Sequence, residues 1–137
     1  MACNTQPTQK NKKKTKKLVT TGTILKVIDN TGAKYAQCIR ILKNRKVAKT
    51  GDKIIVAVKK AIPNKRIKTH QIHKAMIVRS SLKARRKEGS YLRWAQAGCI
   101  LVNKQNAPLG KRILGPVNKD LRTMGHLKVI SIATIAI

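Results

Sequence analysis

Four side chains in this 137-residue chain could act as general acids, bases or ligands for a hard metal ion: Asp29, Asp52, Glu88 and Asp120. Hydrolysis or metal-assisted phosphoryl chemistry needs at least two such groups converging on one reacting atom. These four are dispersed, and each has a local structural role open to it. Asp29-Asn30-Thr31-Gly32 has Asp first and Gly fourth, as a type I turn prefers. Asp52 closes Lys49-Thr50-Gly51-Asp52, and Glu88 lies in the Glu88-Gly89-Ser90 turn. Asp120 would sit in a first helical turn, where the dipole favours negative charge. No catalytic residue is expected from this set.

Histidine and cysteine offer little more. His70-x-x-His73 could form half of a metal site, but His126 is the only other histidine and no cysteine lies near enough in sequence to complete a tetrahedron. Neither a metal nor another cofactor is expected. Cys3, Cys38 and Cys99 are odd in number and contain no C-x-x-C pair, which argues against a disulfide framework and suits a reducing compartment. Cys38 and Cys99 lie in apolar stretches and are expected to be buried as small hydrophobes. The glycines form neither G-x-G-x-x-G nor G-x-x-x-x-G-K-[ST], so no phosphate loop is indicated.

The cations are the remaining candidates, and they are clustered. Lys43, Arg45, Lys46 and Lys49 crowd the connection after the second expected strand. Lys59, Lys60, Lys65, Arg66 and Lys68 surround the Pro63 turn, and Lys83, Arg85, Arg86 and Lys87 precede Glu88-Gly89. Cations at turns with apolar runs between them are what loops reaching into nucleic acid from a rigid scaffold require. Lys and Arg number 32 against four acids, a formal net charge of +28. Small domains ordinarily carry a net charge of about 2–8 in magnitude, so a merely solvated surface does not account for this one. Self-repulsion on that scale calls for a polyanionic partner. Only Tyr35, Tyr91 and Trp94 are aromatic, too few for a base-stacking groove. Phosphate contacts and RNA shape should therefore dominate binding, with a steep dependence on salt.

The elements that position these loops read as β. Ile and Val number 25 against ten Leu, and β-branched side chains favour the pleated sheet. Expected strands are Thr23–Ile28, Lys34–Leu42, Lys53–Lys60, Lys74–Ser80, Tyr91–Trp94 and Cys99–Asn103, with shorter pieces near Ile113 and at Val129–Ile132. Several short strands at this spacing point to a small antiparallel barrel or sandwich. One short helix is expected after Asn118 as cap, with Leu121 and Met124 on one face and Gly125 ending it. The longest apolar runs, Ile54–Val58 and Cys99–Val102, fall far short of the roughly 20 residues a spanning helix needs, so no membrane partner is expected.

Length argues for one domain over residues 18–137. Residues 1–17 carry six of the lysines, no acid and almost nothing apolar, and are expected to form a basic tail that is disordered in the free protein. That leaves 26 cations against four acids, +22, on the rest. The tail lacks the apolar core of a secretory signal and the Arg and Ser of a mitochondrial presequence.

The stretch Leu25-Lys-Val-Ile-Asp-Asn-Thr-Gly-Ala-Lys34, followed by Cys38-Ile-Arg-Ile41, resembles the opening of the universal large-subunit ribosomal protein L-fourteen family. The resemblance continues through Thr50-Gly-Asp-Lys-Ile-Ile-Val56, Val58-Lys-Lys-Ala-Ile-Pro63, Lys74-Ala-Met-Ile-Val-Arg79 and Gly98-Cys-Ile-Leu-Val-Asn103. It closes with Pro108-Leu-Gly-Lys-Arg-Ile-Leu-Gly-Pro-Val117, Asp120-Leu-Arg122 and Lys128-Val-Ile-Ser-Ile132, and so spans residues 18–137 in order. It implies an all-β fold: a small five-stranded antiparallel β-barrel with a projecting hairpin and a short C-terminal helix. It also implies a structural, non-enzymatic protein that binds large-subunit rRNA and contributes to an intersubunit bridge with small-subunit rRNA.

Its implied neighbours are ribosomal proteins L-three and L-nineteen, and its exposed face receives a ribosome-silencing factor in the family. Lys111, Arg112 and Lys128 match that bridge face; relatives often carry Thr at position 111, so the face is more basic here. Other departures are Glu88-Gly89 for the usual Asp-Gly, Trp94 and Ala97 for an aromatic Phe or Tyr and then Asn, Lys60 for an acid, and Ala133–Ile137 for an acidic ending. The pattern resembles the bacterial and organellar branch, and this drift points to a mitochondrial ribosome, with plastid or bacterial cytoplasm as alternatives. A histone-like nucleic-acid compactor would explain the charge equally well, and a metal-dependent RNA enzyme ranks third.

Overall fold

Alternation of small or branched apolar side chains with polar ones decides which way each strand faces. The computed structural model describes residues 18–137, and the basic tail expected over residues 1–17 lies outside the described residues. Four strands come first: β1 (Ile24–Val27), β2 (Ala33–Ile41), β3 (Lys53–Ala61) and β4 (Ile72–Arg79). A two-stranded hairpin follows, β5 (Ala84–Arg85) with β6 (Tyr91–Leu92), and then β7 (Gly98–Val102). The chain ends in β8 (Ile113–Val117), α1 (Asp120–Thr123), α2 (Leu127–Ile132) and β9 (Ala133–Ala136).

Strands β1-β2-β3-β4-β7 close into the expected five-stranded barrel. Its interior is filled by Leu25, Val27, Ala36, Cys38, Ile54, Val56, Val58, Ala75, Ile77, Cys99 and Leu101. The expectation of a wholly antiparallel barrel needs one correction. Four seams are antiparallel, but β1 pairs with β7 in parallel, Lys26 opposite Gly98 and Val27 opposite Cys99. Parity is the reason: five strands that alternate in direction must close on two strands running the same way.

Strand β2 breaks simple alternation. Register shifts lie between Ala33 and Tyr35, between Tyr35 and Ala36, and between Cys38 and Arg40. Extra residues at these bulges let two successive side chains, Lys34-Tyr35 and Ile39-Arg40, both face solvent. All of β7, by contrast, is buried. Cys99 and Leu101 point into the barrel, while Ile100 and Val102 join Met76, Val78, Ile113, Val117, Leu121 and Val129 in a second apolar cluster. The C-terminal segment therefore covers the outer face of β4 and β7.

That second layer corrects another expectation: Val129–Ile132 belongs to helix α2, and the strand follows it as β9. β-branched content favours a strand locally, but β9 pairs in parallel with β8, and parallel neighbours need a crossover connection. Helices α1 and α2 supply that crossover, with Val129 buried under it. Asn118, expected as the cap of α1, stands one residue before it: the cap position is Lys119, and the Asn118 carboxamide accepts the Asp120 N–H at 2.9 Å. Leu121 is fully buried, whereas Met124 is exposed and lays its sulfur over Gly51.

Asp29 joins the layers. Its buried carboxylate accepts the Leu101 N–H at 2.9 Å, the Thr31 N–H at 3.2 Å and the Thr31 hydroxyl. Part of this is the local turn expected from sequence; the bond to Leu101 ties that turn to a strand 72 residues away. Asp29→Ala should lower unfolding free energy by roughly 2–4 kcal/mol, because charge-assisted bonds vanish and buried donors are left without partners. Urea unfolding of the variant checks this, and a loss within about 0.5 kcal/mol would show that Asp29 is not a staple.

Candidate nucleic-acid interface

Strand direction sorts the cationic clusters. In the run β2-β3-β4-β7, the β2–β3 and β4–β7 connections share one rim, and the β1–β2 and β3–β4 connections share the opposite rim. Lys43, Arg45, Lys46 and Lys49 therefore lie at the same end as the hairpin that carries Lys83, Arg85, Arg86 and Lys87. Lys59, Lys60, Lys65, Arg66 and Lys68 belong to the other end. All of these side chains are exposed except Arg86, which is half-buried.

At the first rim, a cleft of about 770 Å³ runs between Thr20-Thr21 and the segment Arg40–Lys46. The Lys43 ammonium lies 2.8 Å from Asp52 yet the side chain remains 58% exposed, so it is anchored at its tip and accessible along its length. Burial alone would raise the Asp52 carboxyl. Lys43, the Lys49 N–H at 2.8 Å and the Arg45 charge outweigh it and hold the group below its ordinary range.

At the opposite rim the β3–β4 loop folds onto the β1–β2 turn. The Ile62 N–H donates to the Gly32 carbonyl at 2.8 Å, and a Cβ on Gly32 would stand 2.4 Å from Lys65 Cβ. Only glycine accepts both this approach and the φ of +102° found there. Lys65 is thereby held by its stem, with its ammonium outward. At the end of that loop Gln71 Oε1 lies 3.2 Å from Nε2 of His73, the second residue of β4. Among the described residues no three His, Cys, Asp or Glu side chains converge on a metal-sized space.

The hairpin divides its cations. Arg85 and Lys87 point into solvent, and Lys83 places its ammonium 4.0 Å from the centre of the Tyr91 ring. Arg86 turns inward. Its guanidinium donates to the Ile137 main-chain oxygen and, at 3.4 Å, to Asn118 Oδ1, and it lies 3.5 Å from Asp120. It fastens the hairpin to the C-terminal layer. Arg79 does likewise for β8, donating to the carbonyls of Pro116 at 2.7 Å and Leu114 at 2.8 Å while it lies over Trp94.

Lys111 and Arg112 are exposed just before β8, and Lys128 is exposed in the first turn of α2. Pairing of Ile113 with Ala133 sets Arg112 beside the end of α2, so the three lie on one layer. Reading the turns for charge missed Lys26, Lys34 and Arg40, which are exposed on strands rather than loops. The alternation around Lys26 was a usable signal; the bulges that expose Lys34 and Arg40 left none.

Fold and charge define a class: a small, strongly cationic closed-barrel protein whose cations crowd both rims. The family model described as Ribosomal protein L14p/L23e matches residues 18–137. The chain belongs to that family, and is thus a structural protein of the large ribosomal subunit.

Two outcomes test the local assignments. Arg86→Ala should destabilise the fold by about 1–3 kcal/mol in urea melts, while Arg85→Ala and Lys87→Ala together change stability by less than about 0.5 kcal/mol; equal effects would mean that Arg86 is not an anchor. A depressed carboxylate contributes stability that is complete above its unfolded pKa and is lost as pH falls through the folded value. Asp52→Asn should therefore flatten the fall in melting temperature below about pH 4, and an unaltered acid limb would contradict the Lys43–Asp52 pairing.

Proposed function

We propose that the barrel binds large-subunit rRNA through both rims and holds neighbouring RNA segments at a fixed distance. The observation that carries this reading is where the acids go. Asp29 is buried on backbone N–H groups, Asp52 is buried against Lys43, and Asp120 lies beside Arg86. Only Glu88 stands in the open as an unpaired carboxylate among the described residues. The surface field is thus almost unopposed, and phosphate is its natural counterpart. Contacts to phosphate fix position and carry no sequence information themselves, which suits a scaffold.

Lys111, Arg112 and Lys128 form the face we assign to the bridge with small-subunit rRNA. Ribosomal proteins L-three and L-nineteen, and a ribosome-silencing factor on that same face, are the proposed protein neighbours. The departures at Lys60, Glu88, Trp94 and Ala97 support a mitochondrial ribosome as the site of action.

Binding of the full chain to large-subunit rRNA should weaken with salt, at roughly 0.7–0.9 logarithmic units per phosphate neutralised. Replacing Lys83, Arg85 and Lys87 by Ala should flatten that slope by about one unit per lost contact. Equal affinity for duplex DNA, with sedimentation away from large subunits, would favour a nucleic-acid compactor instead. Lys111→Ala, Arg112→Ala and Lys128→Ala together should leave incorporation into large subunits intact and reduce joining to small subunits in sucrose gradients; unimpaired joining would remove the bridge assignment.

A further inference from the structure

We propose that the outer face of the barrel at β1–β2, above the Gly32 turn, holds one unstacked nucleotide of the rRNA, with Tyr35 as the platform for its base. This rests on the rRNA-binding reading and deepens it from phosphate contact to recognition of a single base.

The site is a cavity of about 310 Å³, at the small end of the roughly 300–1,000 Å³ of ligand pockets. It is large enough for a nucleoside and too small for a helix or strand of a partner. Tyr35, Ile62 and Leu114 line it with exposed apolar surface, and Lys26, Lys34 and Lys65 supply the charge. Register places Tyr35 directly opposite Lys26 on β1 and Lys60 on β3. One ring therefore stands in a row between two cations on the same side of the sheet. Asn30 adds an amide donor and acceptor at the edge.

A nucleotide combines what this row asks for: a flat apolar face for the ring, and phosphates on either side for the lysines. A plug of apolar protein side chains would leave the lysines unmatched. Asp29 also lines the cavity, but its carboxylate oxygens accept from the Leu101 N–H and from Thr31, and it forms no ion pair with these lysines among the described residues. Among the described residues Tyr35 is also the aromatic whose ring carries no cation. Trp94 lies under Arg79, and Tyr91, although 55% exposed, has Lys83 over one face, whereas Tyr35 is 37% exposed and no cation lies over its ring among the described residues.

The walls are fixed before any ligand arrives. Ile62 is bonded to Gly32 at 2.8 Å, the Lys65 stem rests on Gly32, and the Leu114 N–H donates to the Ile28 carbonyl at 2.7 Å. A preformed site loses little entropy on binding.

The experiment separates stacking from charge by measuring binding of the full chain to isolated large-subunit rRNA across a salt series. Tyr35→Leu should weaken binding roughly ten- to a hundredfold, the range of one base–aromatic stack, with the salt slope unchanged because no cation is lost. Tyr35→Phe, which keeps the ring and the packing, should bind within about twofold of the parent. Lys26→Ala should reduce the slope by about one unit. Ultraviolet cross-linking of large subunits containing the chain should leave a nucleotide adduct on the peptide that carries Tyr35.

A Tyr35→Leu variant that binds as tightly as the parent overturns the nucleotide site, and so does a Tyr35 cross-link to another ribosomal protein. Both results leave the rRNA-binding reading standing if the salt slope stays steep. Loss of the slope itself in the parent protein would overturn both.

Discussion

Twenty-six cations and four carboxylates have to share one barrel of 120 residues, and this shortage of negative charge governs where the acids lie. An acid on the surface would offset one cation at high dielectric and gain little. An acid turned inward can satisfy more than one donor at once. The chain spends Asp29 and Asp52 in that way, one on the β1–β2 turn and Leu101, the other on the Lys49 N–H and Lys43. The same two choices stabilise the turns and leave Lys43 as the one rim lysine with a carboxylate partner among the described residues. Folding and binding thus draw on a single arrangement, and repulsion among the rim cations is the cost it leaves for a polyanion to relieve.

Closure of the barrel carries the second half of the design. An odd number of alternating strands forces a parallel seam, and here that seam is short, with two partnered positions. Asp29 reinforces it from above by reaching Leu101, next to the point where β1 leaves β7. The C-terminal layer reinforces it from outside, since it buries Ile28 with Ile100 and Val102. Arg79 and Arg86 then clip that layer to the barrel and to the hairpin through main-chain oxygens. Two of the cations are therefore structural, which charge counting alone could not reveal.

Much of this was legible in the sequence because strands declare themselves by alternation and turns by Asp, Asn and Gly. The five barrel strands fall within one or two residues of their expected limits, and Cys38 and Cys99 are buried thiols as expected, with burial raising both. The resemblance in residues 18–137 named the family that the family model matches. Helix α2 was not legible, because Val129, Ile130 and Ile132 fit a strand locally and only the parallel pairing of β8 with β9 demands a crossover. The inward turn of Arg86 was hidden for a related reason: its partners Asn118, Asp120 and Ile137 are 32 to 51 residues away. Exposure of Tyr35 depends on a bulge, which no local pattern in β2 announces.

The division between rims and strands has a physical consequence for recognition. Lysines on loops are long, rotatable point charges that can follow a phosphate through a range of positions. They give affinity and tolerance, and little register. Side chains on a closed barrel have backbone positions fixed by ladders on both sides, so a ring standing between Lys26 and Lys60 occupies one place relative to the whole fold. Sites built on strands are held more closely than sites built on loops. The proposed role of holding RNA segments at a fixed spacing needs both properties, compliance where many phosphates are met and one rigid reference point where a single base can be held. The rims of this barrel have the first, and the bulged face of β2 has the geometry for the second.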